Sequence, residues 1–265
     1  PVHFPGRRKV EEEVSPEELS EKQDPRTKLI ERAIDAGINY FDTTLVEECQ
    51  SLGLALRTLG RREDVYIATE NLWPLRRLRE TPKADWHKNI AGWIEGRLRM
   101  LQTDHIDIYN IHMPEDSYSR ESFETIVSVL KEIRDQGKIG AIGVASHKLR
   151  LLAELIRKYD CFDSIMIPYN YHQQEAREIL FPLCTALDIG IVVMKPFSWP
   201  YYGIHFTHFC PTELEVGGYT PSQTALRWIL RSPEVGTIVP GTSSIAELEE
   251  NLSILTEEYE IDEGV

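Results

Sequence analysis

Apolar positions along the chain switch repeatedly between two periods. Short runs rich in Ile, Val and Tyr, bounded by Gly, Pro or Asp, occur at "INYFD" (38–42), "VYIAT" (65–69), "IDIYNIH" (106–112), "IGAIGVAS" (139–146), "SIMIPYN" (164–170), "GIVVMKP" (190–196) and "GTIVPG" (236–241). Nearly continuous apolar runs of this length are the pattern of strands buried on both faces. Between and around them, apolar residues return at helical spacing near 25–36, 47–59, 86–102, 118–136, 148–158, 174–187, 221–231 and 244–257. Strands alternating with helices predict a parallel sheet with helical crossovers. Eight such units at this length favour an α/β fold of the closed (β/α)8 TIM barrel type, in a single domain, over an open sheet.

The strand that should precede the helix at 25–36 is the weakest in the pattern. "PVHF" (1–4) is the candidate, and "KVEEEVSPEELSEKQ" (9–23) follows it as an acidic stretch with little apolar content. That stretch reads as a solvated loop with one short helix capped by Ser15. The expected organisation is therefore residues 1–24 as an N-terminal segment carrying part of the first strand and an acidic loop, with the barrel over 25–265.

Composition narrows the function classes. A net charge of −14 over 265 residues repels nucleic acid. No apolar run approaches the ~20 residues of a membrane span, so neither partner is expected and a cytoplasmic location is. Cys49, Cys161, Cys184 and Cys210 are widely separated without C-x-x-C spacing. They match neither a zinc site nor an iron–sulfur cluster and read as reduced thiols.

In a (β/α)8 barrel, chemistry gathers where strands end at their C-terminal side. Those ends are Asp42, Glu70, His112, Ser146 with His147, Asn170, Lys195, and Pro240 with Gly241. The set is far more polar than the strand interiors. Glu70 stands out, because a carboxylate closing an otherwise apolar strand costs several kcal/mol unless it is paired, protonated or used.

The motifs "AGINYFDTT", "SLGLAL", "IDIYNIHMPED", "IGAIGVASH", "VVMKPF", "ALRWIL" and "IVPGTSSIAELEENL" follow one another in an order that resembles the aldo-keto reductase family over about residues 27–256. The resemblance implies a barrel that binds NADP(H) and reduces small aldehydes or ketones with an Asp, Tyr, Lys and His tetrad. The wording looks most like a bacterial branch whose relatives often carry an iron–sulfur tail, which this chain lacks. Carried over by position, the family's Asp falls on Asp42 and its His on His112. Its Tyr falls on Glu47 and its Lys on Glu70, so a phenol and a cation are both replaced by carboxylates.

Two carboxylates a few Å apart do not both ionise easily. One of Asp42 and Glu70 is expected to hold a proton near neutrality and to serve as an acid, with His112 and Glu47 as further candidates. The alternative readings are a carboxylate and imidazole set around a divalent metal, which matches no ligand motif, and a Glu70 turned aside to Arg76, Arg77 or Arg79.

On the cofactor side, the resemblance assigns the adenosine phosphate to Gly241, Thr242 and Ser243 and the adenine to Asn251. Ser146, Asn170 and Lys195 are further candidate contacts. Where the family often places a base for the 2′-phosphate stands Glu247, which favours NAD over NADP. Trp73, Trp199, Tyr201 and Tyr202 are candidates for the wall of an apolar or sugar-like ligand. Three functions follow from these residues: a nicotinamide-linked oxidoreductase of a small carbonyl or hydroxy compound, an isomerase, epimerase or lyase working by proton transfer, and a binding protein that has lost catalysis. The residues leave the oligomeric state open.

Overall fold

The computed structural model describes residues 13–20, 23–114, 118–197 and 218–255. They group into two compact units, one running up to Ser164 and one from Ile165 onward.

The first unit runs α1 (Pro16–Ser20), α2 (Gln23–Asp35), β1 (Tyr40–Thr43), α3 (Val46–Leu59), β2 (Tyr66–Asn71), α4 (Pro74–Arg79), α5 (Trp86–Leu101), β3 (Ile106–His112), α6 (Arg120–Asp135), β4 (Ile139–Ala145) and α7 (Leu149–Lys158). The second contains most of β5 (Ser164–Pro168), then α8 (Ala176–Ile179), α9 (Phe181–Leu187), β6 (Gly190–Met194), α10 (Pro221–Leu230), β7 (Val235–Val239) and α11 (Ile245–Leu252). This is the strand–helix alternation of the (β/α)8 barrel class, with seven strands among the described residues. The segment expected to supply a first strand, 1–4, lies outside them.

Strands β1 to β4 pair in parallel with a register that sorts their residues onto two faces. One face carries Phe41 with Ile67, Thr43 with Thr69, Tyr109 and Ile142, and Asn71 with Ile111 and Val144. Ile67, Ile111, Ile142 and Val144 there are fully buried, as expected of strands covered by helices. The other face carries Asp42 beside Ala68, Ile108 and Ala141, and one step further along, Glu70 beside Asn110 and Gly143. Every polar strand residue that drew notice in β1 to β3 therefore shares one face, and small residues leave room beside them.

Two departures from the expected elements have local causes. The helix expected over 174–187 is two short helices, because Pro182 lacks an N–H and sits in the first turn of α9. Helix α4 was not expected; Pro74 starts it at the position where a proline is tolerated. The short helix after Ser15 forms as expected. Ser15 Oγ accepts from the Glu18 N–H at 3.3 Å, and the Glu18 carboxylate accepts from the Ser15 N–H at 3.4 Å, a capping box.

Candidate active site

The end of β1 is tied down from three sides. The Glu48 carboxylate accepts the N–H groups of Thr44 and Leu45 at 2.9 and 2.8 Å, which caps α3 and makes the turn short. Arg97, fully buried on α5, donates to the Thr44 carbonyl at 3.1 Å and to Cys49 Sγ at 3.1 Å. Cys49 in turn donates to Thr43 Oγ1 at 3.3 Å. Asp42 is thus held on a strand whose C-terminal end has little freedom. Arg97 was missed from sequence, although its place three residues after Ile94 on an apolar helix stripe was a signal.

Helix α3 begins at Val46, which places Glu47 in its first turn. There its carboxylate meets Arg26 of α2 at 2.6 Å, with both side chains mostly buried. Glu47 has a cation for a partner, an arrangement different from the cluster of carboxylates expected for it.

Glu70 is buried at the end of β2, 7% exposed, on the face it shares with Asp42. Of the arginines suggested as its partners, Arg76 approaches Glu80 at 3.7 Å. Tyr40, two residues before Asp42 on the same strand face, reports on the carboxylates. Its phenol is pushed well above the ordinary range by burial, then by the charges of Asp42 and Glu70. That phenol stays protonated and keeps its O–H to donate. Sequence reading passed over it.

His112 closes β3. Burial, then the neighbouring His147, lowers its pKa to about 4, so the imidazole is neutral at physiological pH. Its Nδ1 accepts the Trp73 N–H at 3.2 Å, which leaves the ring proton on Nε2. Trp73 makes this contact from a left-handed backbone conformation, φ 51°, and its ring stands edge-on to the imidazole at 6.2 Å. A non-glycine residue held in that conformation is strained, and here the strain delivers a backbone donor to the histidine. Ser146, fully buried, donates to the Met113 carbonyl and accepts the Lys148 N–H at 2.9 Å, closing the turn after β4.

In the second unit the candidate residues bond within that unit. Asn170 accepts the N–H groups of His172 and Gln173 at 3.0 and 3.1 Å and donates to Gln173 Oε1 at 3.1 Å and the Lys195 carbonyl at 3.0 Å. Lys195 itself has φ 57°. At the start of α11, Ser244 Oγ accepts the Glu247 N–H at 3.2 Å, while the Glu247 carboxylate accepts the Ser243 N–H at 2.7 Å and its hydroxyl at 2.8 Å. The Ser243 N–H, foremost, holds Glu247 below the usual carboxylate range. Thr242 donates to the Pro240 carbonyl at 3.3 Å and accepts from Asn251 Nδ2 at 3.4 Å. Gly241 is exposed, with open space at its Cα. Trp199, Tyr201, Tyr202 and Cys210 lie outside the described residues.

Among the described residues no group of three or more His, Cys, Asp or Glu is placed to hold a metal ion, and no helix is long and apolar enough to cross a membrane.

Comparison with known proteins gives a consistent picture. The model of the Aldo/keto reductase family matches residues 13–200 and 214–263. Aldo-keto reductase YhdN of Bacillus subtilis is 31% identical over 160 residues, 58% of this chain and 46% of its own length. Probable aldo-keto reductase 1 of Glycine max is 25% identical over 262 residues, covering 86% of this chain and 73% of its own. Among solved structures, an aldo-keto reductase of Klebsiella pneumoniae in complex with NADPH superposes with a TM-score of 0.73 at 21% identity, over 92% of this chain and 84% of its own. The holo form of one from Bacillus halodurans gives 0.67 at 23% identity, over 87% and 81%. At these identities the structural matches establish the shared fold.

Proposed function

Since the chain belongs to the aldo/keto reductase family, we propose that it is a nicotinamide-linked oxidoreductase of a small carbonyl or hydroxy compound in which His112 and the Asp42 and Glu70 carboxylates handle the proton. The observation that carries this reading is the bond from the Trp73 N–H to His112 Nδ1. It fixes the imidazole as a neutral Nε2–H donor, the form suited to meet an oxygen on which negative charge is growing. The proton itself comes from the carboxylate pair: the register puts Asp42 and Glu70 on neighbouring strands, one step apart on one face. Mutual repulsion favours a state in which they share a single proton, so one of them is a carboxylic acid able to release it.

A bound nicotinamide would supply or accept the hydride. Gly241, Thr242, Ser243 and Asn251 would hold its adenosine end, and the fit favours the form without a phosphate on the ribose. Glu247 already places a carboxylate on the Ser243 N–H and hydroxyl, where a phosphate would seek those same donors and meet that charge. NADH is the expected partner over NADPH. Ser146 and Asn170 act in this reading by fixing the ends of their strands, and Glu47, paired with Arg26, has no part in proton transfer.

The carboxylate pair also suits proton-transfer chemistry without a hydride, as in an isomerase or lyase. One set of measurements separates the two. Fluorescence titration should show NADH binding at least as tight as NADPH, and the wild type should reduce a small aldehyde with NADH. His112→Gln should lower that turnover by about 10²-fold while NADH binding stays unchanged. Absence of binding by either nicotinamide would sink the redox reading and favour the hydride-free one.

A further inference from the structure

We propose that Asn110, Ser164 and Tyr40 are positioning residues of the Asp42 and Glu70 site, acting on its carboxylates through a buried water molecule. This rests on reading those carboxylates as the acid–base pair, whichever reaction they serve. Asn110 and Ser164 are 2% and 8% exposed, yet Asn110 Nδ2, Ser164 Oγ and the Tyr40 hydroxyl are all buried without a hydrogen-bond partner from the protein. Leaving such groups unmet costs ~1–3 kcal/mol each, so each calls for an explanation.

The place where the Asn110 and Ser164 side chains converge, with Asn110 Oδ1 foremost, is defined by a glycine. A Cβ on Gly143 would lie 2.0 Å from Asn110 Oδ1 and 2.8 Å from Ser164 Oγ. Both side chains therefore reach over the Gly143 Cα, into space that any other residue would fill. Gly143 is the register partner of Asn110, and Asn110 that of Glu70, so this nook lies in the same row as the Glu70 carboxylate. Tyr40 stands on the same face of β1, two residues before Asp42, in the field of both carboxylates.

A water accepting from Asn110 Nδ2 and Ser164 Oγ has two O–H bonds left to give. The Glu70 carboxylate, in the same row, is an acceptor for one of them, and buried waters typically make about three such bonds. The titratable groups on the face the nook shares are Tyr40 and Asp42 on β1, Tyr66 and Glu70 on β2 and His112 on β3; β4 contributes Ala141, Gly143 and Ala145, none of which titrates. Donors delivered to an ionised carboxylate stabilise it, so these residues set which oxygen carries the shared proton and how firmly.

The test reads carboxylate titration rather than turnover, so failure of the redox reading does not touch it. Carbon-detected NMR should show the Asp42 and Glu70 titrations moved upward by about half a pH unit or more in Asn110→Ala and in Tyr40→Phe, with Asn110→Ser, which restores a donor, in between. Titrations that stay in place, together with a raised melting temperature in both variants, would mean that the three groups are merely unmet and overturn the proposal. Should Asn110→Ala fail to fold, Tyr40→Phe decides alone, since it removes a single oxygen.

Discussion

Two polar regions of this chain are built from similar groups and end in opposite states. At the start of α11, a carboxylate, hydroxyls and an amide close on one another: Glu247 on Ser243, Asn251 on Thr242, Thr242 on Pro240. On the shared face of β1 to β3, carboxylates, an amide and a phenol stand side by side, and Tyr40 and Asn110 keep donors that no protein group receives. The difference is one of sequence distance. Glu247 is four residues from Ser243, so the cap forms as soon as the helix does. Asp42, Glu70, Asn110 and His112 come from three strands whose register fixes each Cβ, so which groups they meet is decided only when the sheet forms. Local contacts satisfy themselves. Groups held by separate strands find their neighbours only through the sheet.

The first way to break this comparison is to loosen the strand end. If distant contacts impose the geometry at Asp42, removing the buried guanidinium with Arg97→Leu should cost about 3 kcal/mol in urea unfolding, because the Thr44 carbonyl and Cys49 lose their donor. A cost below about 1 kcal/mol would mean that the strand holds its end unaided.

A second test uses pH. His112 titrates near 4 when folded, against 6.5 for the ordinary group, so between these values the unfolded chain binds the extra proton. Stability from this residue is complete above about pH 6.5 and falls as pH drops, by about 3 kcal/mol at pH 4. The difference in unfolding free energy between pH 7 and pH 4 should shrink by that amount in His112→Gln. An unchanged difference would show that the imidazole is not desolvated.

The smallest effect belongs to the self-closed turn. Glu247→Gln removes the charge that faces Ser243 while keeping an acceptor, and should tighten NADPH about tenfold, roughly 1.4 kcal/mol, with little change for NADH. Equal changes for both cofactors would dissociate Glu247 from phosphate discrimination.

Much of this molecule was legible in the sequence because the signals are local or periodic. The run "IDIYNIH" is β3 to the residue, and Ser15 and Glu18 close the predicted capping box. The family order of motifs likewise marked Asp42 and His112 as strand ends and Glu70 as a carboxylate out of place. What the sequence left open depends on which groups meet across the fold. Glu47 and Arg26 lie 21 positions apart, and only the packing of α2 against α3 makes them a pair. Trp73 reaches His112 from 39 positions away through a backbone N–H, which every residue but proline carries and no pattern of side chains can announce. Tyr40 looked like an ordinary apolar strand residue until the register set it beside two carboxylates. Periodicity determines which face a side chain takes; its neighbours on that face, and so its charge state and chemistry, are decided only when the strands assemble.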